Sequence, residues 1–363
     1  MSLTLKLGKR GRFSRVSLCA LCLWRVSFFN VMNARMNGKK EREIMKSGLS
    51  KALVTGGAGF IGSHLVDTLV KEGCDVVVLD DLSAGSLSNL DHVKDKITFY
   101  KGDIQDQNIL MKASENCDVI FHMAALVSVT KTVDNPVDSA FINDIGTLQV
   151  LESARQSKVK RVVLSSSSAV YGDDPIIPKN ENMPPKPMSP YAVQKLTGEL
   201  YARIYYDLYG LETVCLRYFN VYGPRQNPSS PYSGVISIFM TRAVSKKPPV
   251  IYGDGKQYRD FVFVKDVVKA NLLAATEDDA AGQIFNIGTG KHVSINSLWD
   301  MISLFSGLKI EPEYAPPRPG DILESVASIE QAKSALGFEP DYLFEKGLEI
   351  TFNWYKDSRK LHY

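Results

Sequence analysis

Residues 51–62 read Lys51-Ala-Leu-Val-Thr-Gly-Gly-Ala-Gly-Phe-Ile-Gly62, an apolar run that leads into a glycine-rich turn. The run from Lys51 to Thr55 predicts a buried strand, and the periodicity from about Ile61 to Lys71 predicts an amphipathic helix. Three glycines join the two elements in a G-x-x-G-x-x-G spacing, namely Gly56, Gly59 and Gly62. Such a turn lets the backbone approach a pyrophosphate, whose charge the helix N-terminus stabilises. This stretch therefore predicts a dinucleotide-binding α/β fold.

The next strand supplies the acid that such a site needs. A second apolar run, Asp75 to Leu79, ends at Asp80, which comes 24 positions after Gly56. The spacing is close to the roughly 20 typical of a dinucleotide-binding unit. The Asp80 carboxylate would accept hydrogen bonds from the adenosine ribose and repel a 2′-phosphate, which favours NAD over NADP. A phosphate-binding P-loop is disfavoured because no Lys-Ser/Thr pair follows the glycines.

Further apolar runs alternate with helical patterns along the chain. The predicted strands are Ile97–Lys101, Asp118–Phe121, Arg161–Leu164 and Glu212–Arg217, and the predicted long helices are Pro136–Gln156 and Tyr191–Leu208. Such alternation predicts a doubly wound parallel sheet, a Rossmann fold. Two later runs, Asp260–Val264 and Ile284–Ile287, are expected to return to the sheet.

The chain divides into three predicted parts. Residues 51–222 form an NAD-binding Rossmann domain, to which segments within about 256–290 return. Residues 223–255 and 291–363, rich in turn formers and prolines, form a smaller C-terminal α/β domain of short helices and loops that binds the substrate. Residues 1–50 fit no folded pattern. They are expected to be a disordered leader, or the start codon is placed too far upstream and the natural start is Met36 or Met45. A targeting role stays open.

The charge distribution excludes a nucleic-acid binder. Residues 1–50 hold 11 Lys and Arg against 2 Asp and Glu, which leaves 32 against 38, a net charge of −6, for residues 51–363. A nucleic-acid-binding domain would be expected to carry a basic face. The chain also shows no transmembrane helix.

The five cysteines are an odd number, and we interpret them as small apolar residues of a reducing cytoplasm. Cys19 and Cys22 form a C-x-x-C without a second pair, so no zinc site is predicted, and no other metal site either.

A hydroxyl, a phenol and an ammonium are expected at the carboxyl edge of the sheet. Ser165-Ser-Ser-Ser-Ala-Val-Tyr-Gly172 follows a buried strand, and Tyr191 and Lys195 share one helix face at four-residue spacing. A phenol of pKa about 10 is a poor base, so Lys195 and a positive nicotinamide are expected to lower it. The set is suited to moving a proton while a hydride moves elsewhere.

Small and polar residues after the other strands are candidates for the cofactor site. Asp103, beside Ile104, could reach an adenine edge, and Ala124 and Ala125 let the chain pass close to a cofactor. His122, directly before them, is predicted to be a packed core histidine rather than a catalyst.

These motifs resemble the extended short-chain dehydrogenase/reductases, and within them the UDP-galactose and UDP-N-acetylglucosamine 4-epimerases of the NAD-dependent epimerase/dehydratase family. The resemblance covers roughly residues 51–357 and also rests on Arg217-Tyr-Phe-Asn220, Tyr258-Arg-Asp-Phe261 and Arg318-Pro-Gly-Asp321. It implies an isomerase that oxidises a UDP-hexose at C4 and returns the hydride to the opposite face of the 4-keto sugar. Tyr191 would be the base that takes the proton of the sugar's 4-hydroxyl, and Ser167 would hydrogen-bond the oxygen of that hydroxyl. Lys195 would hold the nicotinamide ribose.

The resemblance also implies the remaining site residues. Cofactor binding is expected at Gly56, Gly59, Phe60, Ile61, Gly62, Asp80, Asp103, Ile104, Ala124, Ala125, Asn143, Ser165, Tyr191, Lys195 and Tyr218. Substrate binding is expected at Ser167, Ser168, Asn220, Val235, Tyr252, Arg259, Arg318, Asp321 and Ser325. Arg259 and Arg318 would clamp the diphosphate, and Tyr252 would stack on uracil.

Two positions bear on the choice of reaction and sugar. Ser168 and Ala169 stand where related 4,6-dehydratases carry an acid and a base, and Ala169 cannot transfer a proton, which disfavours dehydration. Ser325 matches a position that is a bulky tyrosine in strict UDP-galactose epimerases, so it leaves room for an N-acetyl group. UDP-glucuronate 4-epimerases also carry a small residue there, and they remain the alternative.

The resemblance implies a homodimer that acts on a UDP-sugar, and the cysteines favour a cytoplasmic location. A non-catalytic NAD-binding scaffold is the competing interpretation from another class, but such proteins typically lose the Tyr/Lys pair, which this chain retains.

Overall fold

A seven-stranded parallel sheet organises the structure, a computed structural model that describes residues 48–227, 234–307, 309–317 and 324–360. The strands along the chain are β1 (Lys51–Thr55), β2 (Asp75–Asp80), β3 (Ile97–Lys101), β4 (Val119–His122), β5 (Arg161–Ser167), β6 (Glu212–Tyr218), β7 (Asn220–Tyr222), β8 (Val250–Tyr252), β9 (Tyr258–Arg259), β10 (Phe261–Phe263), β11 (Ile284–Ile287), β12 (Val293–Ser294), β13 (Glu313–Ala315) and β14 (Glu324–Ser325). The order across the large sheet is β11-β6-β5-β4-β1-β2-β3, with every neighbouring pair parallel. The predicted doubly wound fold is confirmed.

Helices cover both faces of this sheet, and further helices lie in the later part of the chain. They are α1 (Phe60–Glu72), α2 (Gln107–Ser114), α3 (Val129–Asp134), α4 (Pro136–Ala140), α5 (Gly146–Gln156), α6 (Pro190–Tyr209), α7 (Val235–Val244), α8 (Val264–Thr276), α9 (Ile295–Ser306), α10 (Glu330–Leu336) and α11 (Phe344–Lys360). A π-helical turn over Phe141–Ile145 joins α4 to α5, so the predicted helix Pro136–Gln156 is continuous in its helical character but not in its hydrogen bonding. Among the described residues, no helix combines the length and apolarity that a membrane span needs.

Two apolar layers hold the large sheet between its helices. Ala52 and Val54 of β1 point into the layer under α1 and α8, while Leu53 points into the layer under α2, α5 and α6. Because both faces of the strand are buried, the run is apolar without alternation. A third cluster, which includes Phe239 and Trp299, packs α7, α9 and α11 together.

The sheet reverses its winding between β1 and β4, which creates the crevice where such folds bind ligands. β1 ends at Thr55 before the glycine turn, and β4 ends at His122 before the alanines. β5, beside β4, ends at Ser167. The predicted nucleotide and catalytic segments therefore leave adjacent strands at one edge.

Two expectations for the later part of the chain are wrong. Phe261–Phe263 does not return to the large sheet but pairs with β7, whereas Ile284–Ile287 does join it beside β6. Residues 294–363 hold more than short helices, since α9 runs for 12 residues and α11 for 17. β9 pairs with β12 and β14, and β8 pairs with β13. We call the part of the chain that is built on these short strands, with α7, α9 and α11, the smaller lobe.

The described cysteines agree with the prediction of small core residues. Cys74, Cys117 and Cys215 are free and buried, and burial raises the pKa of Cys74 and of Cys117 to about 12. Cys19, Cys22 and the predicted leader up to residue 47 lie outside the described residues. Ser50, which we assigned to the leader, donates its amide to Asp118 Oδ2 at 2.7 Å.

Candidate active site

The glycine turn after β1 packs closely against backbone. Gly56 has φ +69°, in the left-handed region that favours glycine, and a Cβ there would lie 2.7 Å from the Ala124 amide nitrogen. A Cβ on Gly62 would lie 2.2 Å from the Gly56 carbonyl oxygen. Side chains are therefore excluded at both positions, and the backbone itself forms the surface of the turn.

The first turn of α1 faces this surface. Gly59 is its N-cap, and among the described residues no side chain caps the helix. The amides of Phe60, Ile61 and Gly62 at the helix start belong to the groups that a helix leaves without intrahelical partners. An anion such as a pyrophosphate would satisfy them.

Asp80 lies beside the glycine turn at the end of β2. Its Oδ2 accepts a hydrogen bond from the Ala58 amide at 2.9 Å, and its Oδ1 accepts one from the Leu82 amide at 2.8 Å. Burial raises the pKa of Asp80, and the bonds from Leu82 and Ala58 lower it. The carboxylate is thus held beside the glycine turn, and its contact with the ribose stays a prediction.

Asp103 and Ile104 follow β3 and differ in exposure. Ile104 is buried, while Asp103 is exposed and accepts two bonds from Gln105, at 2.8 Å from its amide and 3.1 Å from its side chain. The carboxylate therefore shapes its own loop, and its contact with adenine stays a prediction.

The three catalytic candidates lie together where α6 passes the end of β5. The Tyr191 side chain lies close enough to the side chain of Ser167 for that serine to lower the pKa of the phenol. Lys195 Nζ donates to the Ser165 carbonyl oxygen at 2.8 Å and to Ser165 Oγ at 3.4 Å. Ser167 Oγ also accepts the Ala169 amide at 3.2 Å, which caps the short 3₁₀ turn from Ser168 to Tyr171.

The pKa of Tyr191 differs from what the sequence predicted for a tyrosine beside Lys195. Burial raises the pKa of Tyr191, and the nearby Ser167 side chain lowers it. Lys195 Nζ lies 5.9 Å from the Tyr191 ring centroid, and the lowering expected from it is not seen. Burial in turn lowers the pKa of Lys195 to about 8. The charge of an oxidised nicotinamide is therefore the remaining influence that would make Tyr191 a base.

The substrate candidates fall into two groups. Asn220 Nδ2 donates to the Asp260 carbonyl at 3.0 Å, next to Arg259, and Arg259 pairs in register with Ser325 between β9 and β14. Val235 begins α7 and Tyr252 ends β8, on separate elements of the smaller lobe. Arg318 and Asp321 lie outside the described residues.

Residues 52–288 match the model of the NAD dependent epimerase/dehydratase family. The chain belongs to this family. A UDP-glucose 4-epimerase of Mycolicibacterium smegmatis is 42% identical over 312 residues, 85% of this chain and 99% of that protein. Among solved structures, a UDP-N-acetylglucosamine 4-epimerase of Methanobrevibacter ruminantium in complex with UDP-N-acetylmuramic acid has a TM-score of 0.82 at 40% identity, covering 85% of this chain and 99% of that one. A UDP-glucose 4-epimerase of Thermus thermophilus in complex with NAD has a TM-score of 0.77 at 37% identity, covering 84% and 99%.

NAD is the cofactor of this family member. The residues present fit it, because the glycine turn excludes side chains, no side chain caps the described start of α1, and the Asp80 carboxylate lies beside the turn. NAD would be held by the turn from Gly56 to Gly62 and by Asp80. Tyr218 is buried, and its hydroxyl donates to Asn271 Oδ1 at 3.0 Å; its contact with the cofactor stays a prediction.

Asn143, in the π-helical turn, braces the loop after the alanines. Its Oδ1 accepts the Leu126 amide at 2.8 Å, and its Nδ2 donates to Gln194 Oε1 at 2.7 Å and to the Leu126 carbonyl at 3.0 Å. π-helical turns are frequent at functional sites. The loop carrying Ala124 and Ala125 is therefore tied to α6, and a direct bond from Asn143 to the cofactor stays a prediction.

His122 is a packed core histidine, as predicted. Its Nδ1 lies 2.8 Å from Thr55 Oγ1 and its Nε2 lies 3.0 Å from Thr147 Oγ1. Burial and the nearby Lys195 lower the pKa of His122 to about 3. A neutral imidazole whose two nitrogens are both bonded serves to join β1, β4 and α5.

A buried polar network behind the serines was not predicted from the sequence. It consists of Ser166, Tyr171, Glu199, Arg217 and Asn286, and it connects β5, α6, β6 and β11. One signal was present, since Glu199 continues the four-residue spacing of Tyr191 and Lys195. An acidic residue on a helix face that points to the sheet indicates a buried partner.

Proposed function

We propose that this protein is an NAD-dependent 4-epimerase of UDP-hexoses. The observation that carries the proposal is the pairing of Tyr191 with Ser167, and of Lys195 with Ser165, beside the NAD-binding turn. A phenol and a hydroxyl that lie next to each other are placed to hold a single alcohol oxygen between them.

The chain's own residues handle the proton of the reaction. When bound, NAD accepts a hydride from the sugar's C4 and returns it. Tyr191 takes the proton of the 4-hydroxyl as the carbonyl forms and gives it back when the hydride returns. Ser167 donates a hydrogen bond to the same oxygen, and Lys195 holds the nicotinamide ribose. Return of the hydride to the other face of the 4-keto sugar inverts C4.

Elimination of water is disfavoured at this site. Ser168 and Ala169 form the 3₁₀ turn that directly follows the serine strand. Neither side chain is an acid or a base of the strength that β-elimination of a hydroxyl needs. Oxidation at C4 followed by return of the hydride therefore fits the side chains better than dehydration.

Incubation with separate UDP-sugars tests the proposal. The purified protein, without added cofactor, is mixed with UDP-glucose, UDP-N-acetylglucosamine or UDP-glucuronate, and products are followed by anion-exchange chromatography and NMR. Conversion to the C4 epimer is expected for the first two. Conversion of UDP-glucuronate alone would favour the alternative, a UDP-glucuronate 4-epimerase. No conversion, even with NAD added, would refute the epimerase.

Ser325 is proposed to admit the N-acetyl group of UDP-N-acetylglucosamine. It lies half-buried in β14, in register with the proposed diphosphate ligand Arg259. A serine occupies little volume, so a substituent at C2 of the sugar is not excluded there. The small volume of Ser325 permits the N-acetylated substrate but does not decide which sugar is preferred.

The change Ser325→Tyr is expected to act on one substrate class. It should lower kcat/KM for UDP-N-acetylglucosamine at least about tenfold more than for UDP-glucose, since the ring would occupy the acetyl position. Ser325→Ala, which adds no volume, should leave the ratio unchanged. Equal losses of kcat/KM on both substrates in Ser325→Tyr would contradict the assignment.

We further propose that two copies associate through the exposed apolar residues of α3, α4, the π-helical turn and α6. Apolar residues recur every four or seven positions along α3 to α6 and are 41–68% exposed; they are Val129, Val133, Val137, Phe141, Ile145, Val193, Leu200, Ile204 and Leu208. A contiguous apolar patch of this kind marks an interaction site, and a patch complementary to itself suits a two-fold homodimer.

The double change Leu200→Glu/Ile204→Glu is expected to convert a dimer to a monomer. Like charges would face each other across the two-fold contact, so the molar mass from light scattering should halve. Leu304→Glu, at an exposed apolar residue of α9 outside this face, serves as the control. A wild-type monomer, or a dimeric double variant, would refute the proposed interface.

A cytoplasmic location is proposed on the free cysteines. Cys74, Cys117 and Cys215 are unpaired thiols, which is the usual state in a reducing compartment.

A further inference from the structure

A buried ion pair lies directly behind the serine strand and has no part in the chemistry above. The side chains of Glu199 and Arg217 are each 3% exposed. They meet in two bonds, 2.8 Å from Arg217 Nε to Glu199 Oε1 and 2.7 Å from Arg217 Nη2 to Glu199 Oε2. Apolar residues of similar volume often stabilise a core as well as such a pair does. Its presence here therefore points to a role beyond stability.

The pair holds the chain on both sides of Ser167. Ser166 Oγ donates to Glu199 Oε1 at 2.5 Å, and Arg217 Nη1 donates to the Tyr171 hydroxyl at 2.9 Å. The Arg217 guanidinium also lies 4.8 Å from the centroid of the Tyr171 ring. Ser167, which lies next to Tyr191, is thus in a segment tied at two points to one ion pair.

Glu199 also completes a row of contacts between α6 and β5. Tyr191, Lys195 and Glu199 follow one another at four-residue spacing and share one helix face. Each faces a different serine of the strand: Lys195 is hydrogen-bonded to Ser165 and Glu199 to Ser166, and Tyr191 lies next to Ser167. A shift of α6 along β5 would break all three contacts together.

We propose that the Glu199–Arg217 pair is the positioning element of the active site, which sets the register of α6 against β5. It acts through Ser166 and Tyr171 and touches neither sugar nor reacting atoms. The inference deepens the proposed 4-epimerase function and rests on it, because the atoms it positions are the proposed base and its partner serine.

The charge of Glu199 adds a second effect on Lys195. Burial lowers the pKa of Lys195 to about 8, while the charge of Glu199 raises it. The titratable groups that face Lys195 are Tyr191 and Glu199 from its own helix, His122 from β4 and Cys215 from β6. Burial raises the pKa of Cys215 well above its usual range and lowers that of His122, so both are neutral. Loss of Glu199 therefore lowers the pKa of Lys195, and the ammonium is lost at a lower pH.

The test is the paired replacement Glu199→Leu/Arg217→Met, which removes both charges and leaves no unpaired ion. We expect kcat to fall about 100-fold, as for a misplacement near 1 Å, with KM within about threefold of wild type. The pKa of Lys195, followed by NMR of ¹³C-labelled lysine and assigned with Lys195→Arg, should fall in the single variant Glu199→Gln, which removes the negative charge alone. The titration of Lys195 is a second measurement that does not depend on turnover.

The matched control is Arg161→Met/Glu212→Leu. Arg161 and Glu212 are the first residues of β5 and β6 and form an ion pair of 2.7 Å at the opposite end of the same two strands. This variant should keep both kcat and the Lys195 titration, whatever its melting temperature. Ser166→Ala tests the same contact without touching either charge and should lower kcat about tenfold, about 1.4 kcal/mol in the barrier.

The outcomes separate the inference from the proposed function. A folded Glu199→Leu/Arg217→Met variant with near-normal kcat overturns the inference, and so does a Glu199→Gln variant with the Lys195 titration of wild type. If that variant does not fold, a Ser166→Ala enzyme with unchanged kcat overturns it. A wild-type protein that converts no UDP-sugar refutes the epimerase, while the lysine titration still decides the positioning role.

Discussion

Replacing Tyr191 by phenylalanine is expected to reduce epimerase turnover by about 10²- to 10⁴-fold, the usual contribution of a positioned general base. The change removes the hydroxyl that lies next to Ser167 and leaves the ring in place. Because the glycine turn and Asp80 are untouched, the variant should retain NAD. Turnover of UDP-glucose and the NAD released on denaturation, measured on the same preparation, check both parts.

Tyr209→Phe is the control for this change. Tyr209 is the last residue of the same helix and is 54% exposed. It loses a hydroxyl of the same kind, far along the helix from the serines, so turnover should not change. A Tyr191→Phe enzyme of near-normal rate would refute the assigned base, and one that has lost NAD would show that the hydroxyl serves cofactor binding instead.

The large sheet could be predicted because each of its strands is marked by an apolar run in the sequence itself. The bounds of β1 and β3 are those predicted, and β2, β4 and β6 differ by one residue at one or both ends. Parallel strands buried on both faces read as continuous apolar runs, and the helices between them add a second period. Fold class follows from these local patterns alone.

The smaller lobe could not be predicted equally well, because its pairings depend on tertiary contacts. Phe261–Phe263 is an apolar run like those of the large sheet, but only the position of β7 beside it decides its partner. The preceding prolines concealed α11, although Phe344, Leu348 and Phe352 recur at helical spacing.

The site shows the same division between local and tertiary information. The spacing of Tyr191 and Lys195 placed both on one helix face, and the helix start confirms that placement. The Glu199–Arg217 pair spans two elements 18 positions apart, and a sequence does not state which buried acid meets which base. The pKa of Tyr191 could not be foreseen either, because it depends on the burial of the phenol.

Gly62→Ala is expected to abolish most NAD binding while the sheet still forms. The new Cβ would lie 2.2 Å from the Gly56 carbonyl oxygen, a backbone atom that cannot rotate away. The turn and the start of α1 must therefore move apart, which displaces the amides that face the pyrophosphate. We expect NAD affinity to fall at least tenfold, about 1.4 kcal/mol, and unfolding free energy to fall by about 1–3 kcal/mol.

The matched control for Gly62→Ala is Gly198→Ala, at a second helical glycine. A Cβ on Gly198 would lie 3.6 Å from Thr147 Cγ2, an ordinary contact, so alanine there should be neutral or stabilise the helix by up to about 1 kcal/mol. NAD affinity by calorimetry and stability by urea unfolding distinguish the two variants. Full NAD affinity in Gly62→Ala would mean that the turn can open without cost, and that the close approach of α1 to Gly56 is not what forms the pyrophosphate site.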